Sequence, residues 1–150
     1  MKDSISTAAS LAPRHAHLPF DCNGAAVRAQ CRHLATVVTI SGAIDASNVD
    51  QVIEYAQRFN LPDKPFVLDL SGLDSFAAQA VRLLHRVDDA CSAAGVEWCL
   101  IASQPVRRAV GIFDDRFELP TVASVADALN QFADAMLERR RLLPLLTKSA

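Results

Sequence analysis

The sequence lacks any apolar run long enough to cross a membrane, since no uninterrupted apolar stretch approaches the ~20 residues that a spanning helix needs. Residues 1–20 also lack the continuous apolar segment of a secretory signal peptide. These absences predict a cytoplasmic protein that does not insert directly into a membrane. In that compartment thiols normally stay reduced.

An excess of charge of either sign is also missing. The chain has 15 Lys and Arg against 17 Asp and Glu, a formal net charge of −2, which gives no reason to expect nucleic acid as a partner. About half of its 150 residues (51%) are apolar, too many for a disordered chain and enough for the core of one domain.

Cysteine is sparse and unpatterned. The four cysteines form no CxxC pair, and no histidine lies at a zinc-like spacing from two of them. Cys91 falls on the apolar stripe of a predicted helix and Cys99 in the strand after it, so both are predicted to be reduced packing residues. Cys22 and Cys31, nearer the N-terminus and an edge strand, are predicted to be the more reactive pair. A redox role is the alternative.

Catalytic motifs are absent as well. The chain has no P-loop, G-x-G-x-x-G, H-E-x-x-H or G-x-S-x-G pattern. The acidic pairs 88–89 and 114–115 are interpreted as solvated or capping groups, and His15 and His17 as part of a solvated tail. The sequence therefore predicts no enzyme, no metal site and no cofactor.

What is present is an alternation of strand and helix patterns. Segments 25–34 and 36–41 predict an antiparallel hairpin, and the loop 42–45 leads to a helix that Asp45 or Ser47 can cap. The following predicted elements are strand 66–70, turn-rich loop 71–75, helix 77–93 ended by Gly95, strand 96–102, helix 105–113, strand stub 120–122 and a helix from Ser124 to about 136.

This order predicts an α/β fold with a mixed, mostly parallel sheet of four to five strands covered by about four helices. The predicted domain spans residues 23–138. Residues 1–22 are predicted to be a mobile tail, and residues 139–150 a basic and apolar tail that frays from Pro144.

Several segments in a fixed order resemble the STAS family, which includes the anti-sigma factor antagonists. The matching segments are 42–45 (Gly-Ala-Ile-Asp), 68–74 (Leu-Asp-Leu-Ser-Gly-Leu-Asp), 98–101 (Trp-Cys-Leu-Ile), 105–110 (Pro-Val-Arg-Arg-Ala-Val) and 124–129 (Ser-Val-Ala-Asp-Ala-Leu). The resemblance implies a STAS-like fold and a non-catalytic regulator that binds a kinase-like anti-sigma factor. A homodimer is also compatible with it.

The resemblance fails at one functional position. Where phosphorylation-switched members of the family carry the serine that the kinase modifies, this chain has Ala78. The resemblance therefore implies an antagonist without the phosphoswitch. The predicted partner-binding surface comprises Asp45, Ser47, Asn48, Ser75, Phe76, Ala78, Gln79 and Arg82. Phe76 is the candidate anchor, unless it is buried under its loop.

Two alternatives remain open. Some STAS domains are thought to bind nucleotides or other small ligands, and the helix start near Ala77 is a place where an anion can bind. Other STAS domains are subunits of membrane transport complexes. Ligand binding without a partner protein would favour the first alternative, and co-purification with membrane proteins the second.

Overall fold

The computed structural model of the protein describes residues 19–60, 63–113 and 119–149. Of the predicted tail, residues 1–18 lie outside the described part. The rest of it contains strand β1 (Phe20–Asp21), which pairs with β2 (Ala25–Cys31) of the domain. The Phe20 ring stacks on Tyr55 with ring centroids 4.3 Å apart. This contact fixes β1 against the body of the domain, which the composition of the segment did not reveal.

Five strands form one sheet, in which they lie in the same order as in the chain. The other three are β3 (Thr36–Ile44), β4 (Phe66–Phe76) and β5 (Trp98–Ile101). The pairs β1–β2 and β2–β3 are antiparallel, whereas β3–β4 and β4–β5 are parallel. The prediction of a mixed α/β sheet is confirmed.

Four helices are described, in agreement with the predicted number. They are α1 (Val49–Gln57), α2 (Val81–Ala94), α3 (Gln104–Phe113) and α4 (Val125–Ser149). A single 3₁₀ turn, Ala78–Ala80, leads into α2. Gly95 ends α2 with φ of 71°, a left-handed conformation that favours glycine, as predicted.

The two faces of the sheet are covered differently. Buried residues of α1, α2 and α3 pack with Val38, Leu68 and Leu100 in the main core. On the opposite face, Ala128 and Phe132 of α4 pack on a smaller cluster of buried residues that includes Val37, Val67 and Cys99. Because successive side chains of a strand point to opposite faces, neighbours in β3 and β4 belong to different cores.

The predicted loops 42–45 and 71–75 are mostly strand, which corrects the sequence analysis. Residues Ser41–Ile44 pair with Gly72–Phe76, and two register shifts each place an extra residue on β4. Leu70, Leu73 and Phe76 are buried, a spacing of three rather than two. The bulges cause this spacing, and it hides the strand from a search for alternating apolar residues.

The last helix also extends beyond its predicted end. Helix α4 continues through Ser149, so residue 139, where a tail was predicted to begin, is not a break in secondary structure. The Ser124 hydroxyl accepts a hydrogen bond from the Asp127 N–H at 3.1 Å, which confirms the predicted N-cap. Within the described ranges, no helix has the length and apolar character needed to cross a bilayer.

Candidate functional site

The predicted partner-binding residues lie at one edge of the sheet, where β3 and β4 end and lead into α1 and α2. We call this edge the rim: residues 45–48 after β3, and residues 75–82 at the end of β4 and the start of α2. The Ala77 N–H donates to the Ile44 carbonyl at 2.9 Å, so the two connections are tied together. The carboxyl ends of parallel strands commonly carry binding sites in α/β folds.

Asp45 and Ser47 form a turn at the rim instead of capping α1, contrary to the prediction. The Asp45 carboxylate Oδ1 accepts hydrogen bonds from the Ser47 N–H at 2.9 Å and the Ser47 hydroxyl at 2.5 Å. The hydroxyl bond, followed by the backbone bond, lowers the pKa of Asp45. Both residues are exposed, so the rim presents a carboxylate that stays ionised.

Asn48, predicted as part of the partner-binding surface, is buried and therefore presents no side chain to a partner. Its amide nitrogen donates to the carbonyl oxygens of Asn23 at 3.1 Å and Ala43 at 2.9 Å. Its Oδ1 accepts from the Asp45 N–H at 2.9 Å. One side chain therefore joins the β1–β2 turn, the end of β3 and the turn before α1, and it holds the rim in shape.

Two glycines allow the β1–β2 turn to approach the end of β3. A Cβ atom at Gly42 would lie 2.4 Å from the Gly24 carbonyl oxygen, and Gly42 has φ of 96°. The Ala43 N–H donates to the same oxygen at 3.0 Å. Any side chain at Gly42 would push the turn away and separate Asn48 from its partners.

The second half of the rim alternates exposed and buried residues, with Phe76, Ala80 and Val81 buried. Ser75 and Gln79 are exposed, and Ala78 is half-buried at the start of the 3₁₀ turn. Phe76 is only 7% exposed and belongs to the main core. Its burial overturns the hypothesis that this ring is the anchor of an interface, and confirms the alternative that it packs under the chain.

Arg82 forms an ion pair across the rim. Its guanidinium lies 2.9 Å from the carboxylate of Asp50, and the side chains are 53% and 79% exposed. Asp50, in the first turn of α1, was missed by the sequence analysis. Its position gave a signal, because acidic residues favour the first turn of a helix, but the pairing with α2 depends on how the two helices pack.

The cysteines form no centre of their own. Cys91 lies in the main core and Cys99 in the cluster under α4, on opposite sides of the sheet, which confirms that both are packing residues. Burial, with a smaller effect of Asp88, raises the pKa of Cys91 to about 12. Cys22 is buried, and its pKa is also raised by burial, so its predicted reactivity is wrong; Cys31 is exposed. In the part of the chain that the structure describes, no three His, Cys, Asp or Glu side chains gather as metal ligands.

One family model covers most of the sheet and three of the four described helices. The model "STAS domain" matches residues 26–128, which include four of the five predicted family segments in full and the fifth up to its last residue but one. The chain belongs to the STAS domain family. The resemblance found in the sequence is thereby confirmed, together with the fold that it implied.

A curated relative is similar over nearly its whole length. It is "Osmosensory protein A" of Mycobacterium tuberculosis (strain ATCC 25618 / H37Rv), which is 45% identical over 149 residues, covering 96% of this chain and 94% of the relative. The name of this relative describes osmosensing, a role that neither the sequence analysis nor the geometry of the rim predicts.

Two solved structures share the STAS fold with this chain. An anti-sigma factor antagonist from Mycobacterium paratuberculosis superposes with a TM-score of 0.54 at 20% identity, over 73% of this chain and 94% of its own. A variant of RsbS from Moorella thermoacetica superposes with a TM-score of 0.61 at 19% identity, over 73% and 97%. At such identities the likeness concerns the fold alone.

Proposed function

We propose that this STAS domain is a non-catalytic protein-binding regulator that acts as an anti-sigma factor antagonist in the cytoplasm. Its partner would be a kinase-like anti-sigma factor, bound at the rim. The proposal is supported by the family membership and by the antagonist fold of a solved neighbour. It is also supported by a rim whose exposed residues are displayed on a backbone held by Asn48.

The observation that carries the proposal is Ala78. It begins the 3₁₀ turn before α2, it is half-buried, and it has no hydroxyl for a kinase to phosphorylate. A phosphate at a helix start can abolish binding by its charge and bulk. A chain with alanine there keeps an uncharged surface at the centre of the rim, so the proposed antagonist binds constitutively.

Ser75 is the nearest hydroxyl upstream, and its placement supports the same conclusion. It lies within β4, paired with Ala43 of β3, whereas the helical turn begins only at Ala78. Phosphorylation of Ser75 would therefore modify the strand end and not the helix start. We expect no phosphate at the rim after incubation with ATP and the partner kinase, measured by mass spectrometry.

The decisive experiment is Ala78→Asp with Ala123→Asp as its control. Both add a carboxylate just before a helix, but Ala123 is an exposed residue before α4 and far from the rim in the chain. The partner is first captured from native cytoplasm and identified, and its affinity for each variant is then measured by calorimetry. A carboxylate near a helix N-terminus is tolerated, so we expect each variant to lose less than ~1 kcal/mol of stability.

At the rim the new charge would be buried without a partner, which costs roughly 2–5 kcal/mol at an interface. We therefore expect Ala78→Asp to weaken binding at least ~30-fold and Ala123→Asp to leave it unchanged. Equal affinity of the wild type and Ala78→Asp, beside an intact fold, would move the interface away from the rim.

A small-ligand sensor is the second candidate, favoured by the absence of a side-chain cap at the 3₁₀ turn. The open cleft of about 480 Å³ at the start of β5 fits this candidate poorly, because Asp88 and Glu97 line it and would repel an anion. Titration of the isolated protein with nucleotides separates the two functions. Saturable binding without any protein partner would support the sensor.

A further inference from the structure

The second half of α4 leaves apolar side chains in solvent. Helix α4 has 25 residues, about 37 Å at 1.5 Å per residue, yet among its described side chains the apolar residues that pack on the sheet end at Phe132. Beyond that point Met136, Leu137 and Leu142 are 37%, 57% and 51% exposed. Among the described residues, three of the four large apolar side chains that are exposed lie on this part of the helix.

A row of charged residues runs along the same helix. Asp127, Asp134 and Arg141 follow one another at intervals of seven residues, and the sequence continues the series with a lysine at position 148. Seven residues are close to two turns, so the row stays on one side of the helix. Its sign changes from negative to positive midway. Asp134 and Arg141 are both exposed, and about 10 Å of helix axis separates them, too far for an ion pair between these two within one chain. Arg141 does lie 3.6 Å from the Glu138 carboxylate of its own helix, but the two side chains are 77% and 65% exposed, and such a surface pair is weak enough to be exchanged for another.

We propose that α4 pairs with α4 of a second copy of this chain, antiparallel, about a two-fold axis near Leu137. Such an axis brings the acidic half of each row level with the basic half of the other. Asp134 then faces Arg141 of the second copy, Asp127 comes level with position 148, and the two Leu137 side chains meet at the centre. The contact is isologous, because the same surface is used by both copies.

The charge row selects a second copy over other occupants. A uniformly acidic protein or an anionic membrane would attract Arg141 but would be repelled by Asp127 and Asp134. The reversed row of another α4 is complementary in sign along its whole length. Exposed ion pairs contribute little affinity, so they fix the direction of pairing, while the burial of Leu137 stabilises it.

The test uses full-length protein in sedimentation and light-scattering measurements over a concentration series. The wild type is expected to reach the mass of a dimer. Asp134→Arg and Arg141→Glu each place like charges opposite one another in both of the symmetry-related 134–141 pairs. The dissociation constant of the dimer should therefore rise at least tenfold in each variant. The double variant Asp134→Arg/Arg141→Glu reverses both central pairs and should recover the dimer.

Mixing the two single variants sharpens the test. The introduced arginine of one chain then faces the introduced glutamate of the other, and the native Arg141 faces the native Asp134. A heterodimer should therefore form from two chains that dimerise poorly alone. Arg108→Glu, an exposed substitution on α3, is the control and should leave the dimer intact.

Circular dichroism verifies that α4 stays helical in each variant. A monomeric wild type at every concentration would overturn the proposal. The absence of recovery in both the double variant and the mixture would overturn it as well.

Discussion

The two faces of the sheet differ in how much structure covers them. The main face lies under α1, α2 and α3, whereas the other face is covered by α4 alone among the described helices. Val38 and Val37 are neighbours in β3 and both are buried, yet they belong to different cores. Burial of a single residue therefore does not tell how firmly its surroundings are held.

The face under α4 is also polar where the helix does not reach. Thr39, Asp69 and Ser71 share the strand phase of Val37 and Val67, and the Asp69 carboxylate accepts hydrogen bonds from the Ser71 N–H at 3.0 Å and hydroxyl at 2.7 Å. Their polarity lets this part of the sheet face water. The smaller core thus lies at the starts of β3 and β4 and along β5.

The largest expected effect comes from a matched pair of substitutions in β3. Val38→Ala should lower the free energy of unfolding by about 2–3 kcal/mol, because three helices around it cannot close the cavity. Val37→Ala removes the same atoms, but the single helix above it can move towards the sheet and fill part of the cavity. We therefore expect the free energy of unfolding to fall by about 1–2 kcal/mol. Urea denaturation measures both. Equal losses would mean that the two faces pack with the same rigidity.

A smaller effect is expected at the start of α4. Ser124→Ala removes the N-cap hydrogen bond that the Ser124 hydroxyl accepts from the Asp127 N–H. It should lower the free energy of local opening of α4 by about 1 kcal/mol. Cys99, beneath α4, should then react about fivefold faster with a thiol reagent, since the opening equilibrium shifts by that factor.

Cys91 provides the internal control, because it lies on the buried face of α2 in the main core and its pKa is raised to about 12. Its rate, followed residue by residue with mass spectrometry, should not change in Ser124→Ala. Acceleration of both thiols by the same factor would show that the faces open together.

The raised pKa of Cys91 also predicts how stability depends on pH. In the unfolded chain the Cys91 thiol regains an ordinary pKa, so the free energy of unfolding is unaffected below that ordinary pKa and falls as the pH rises from it towards 12.

The smallest effect is expected where α4 meets the start of β5 at its surface. Arg139 and Glu97 form an ion pair of 3.2 Å whose side chains are 66% and 53% exposed. Arg139→Gln should change stability by less than ~0.5 kcal/mol, because exposed pairs are screened by water. The difference should vanish at a salt concentration of about 1 M, and a loss above ~1 kcal/mol would mean that this pair holds α4 on the sheet.

Helices were easier to predict than strands in this chain. The buried positions of α1, Val49, Val52, Ile53 and Ala56, follow the helical spacing seen in the sequence. The second half of β4 was missed, because Ser, Gly and Asp are typical of turns and its apolar residues recur every third position. Such a segment is a strand only because β3 pairs with it, which the local sequence does not encode.

The candidate site was predicted in outline but not in its details. The order of strands and helices placed residues 45–48 and 75–82 at the ends of neighbouring strands, and the structure has them there. It could not show that Asn48 and Phe76 face inward, since both depend on contacts from elsewhere in the chain. Cys22 was misjudged for the same reason: the packing that buries it comes from beyond its own segment.

The strand order β1-β2-β3-β4-β5 has a consequence for how the chain folds during synthesis on the ribosome. Each strand pairs with the one made just before it, so the sheet can grow in the direction of synthesis without waiting for a distant segment. Only the joints β3–β4 and β4–β5 need a helical crossover, and α1 and α2 are complete before the strands that follow them. Short loops close at little entropic cost, and contacts that are local in sequence form rapidly. The nascent chain should therefore hide its apolar strands soon after they emerge, with α4 closing the second face last.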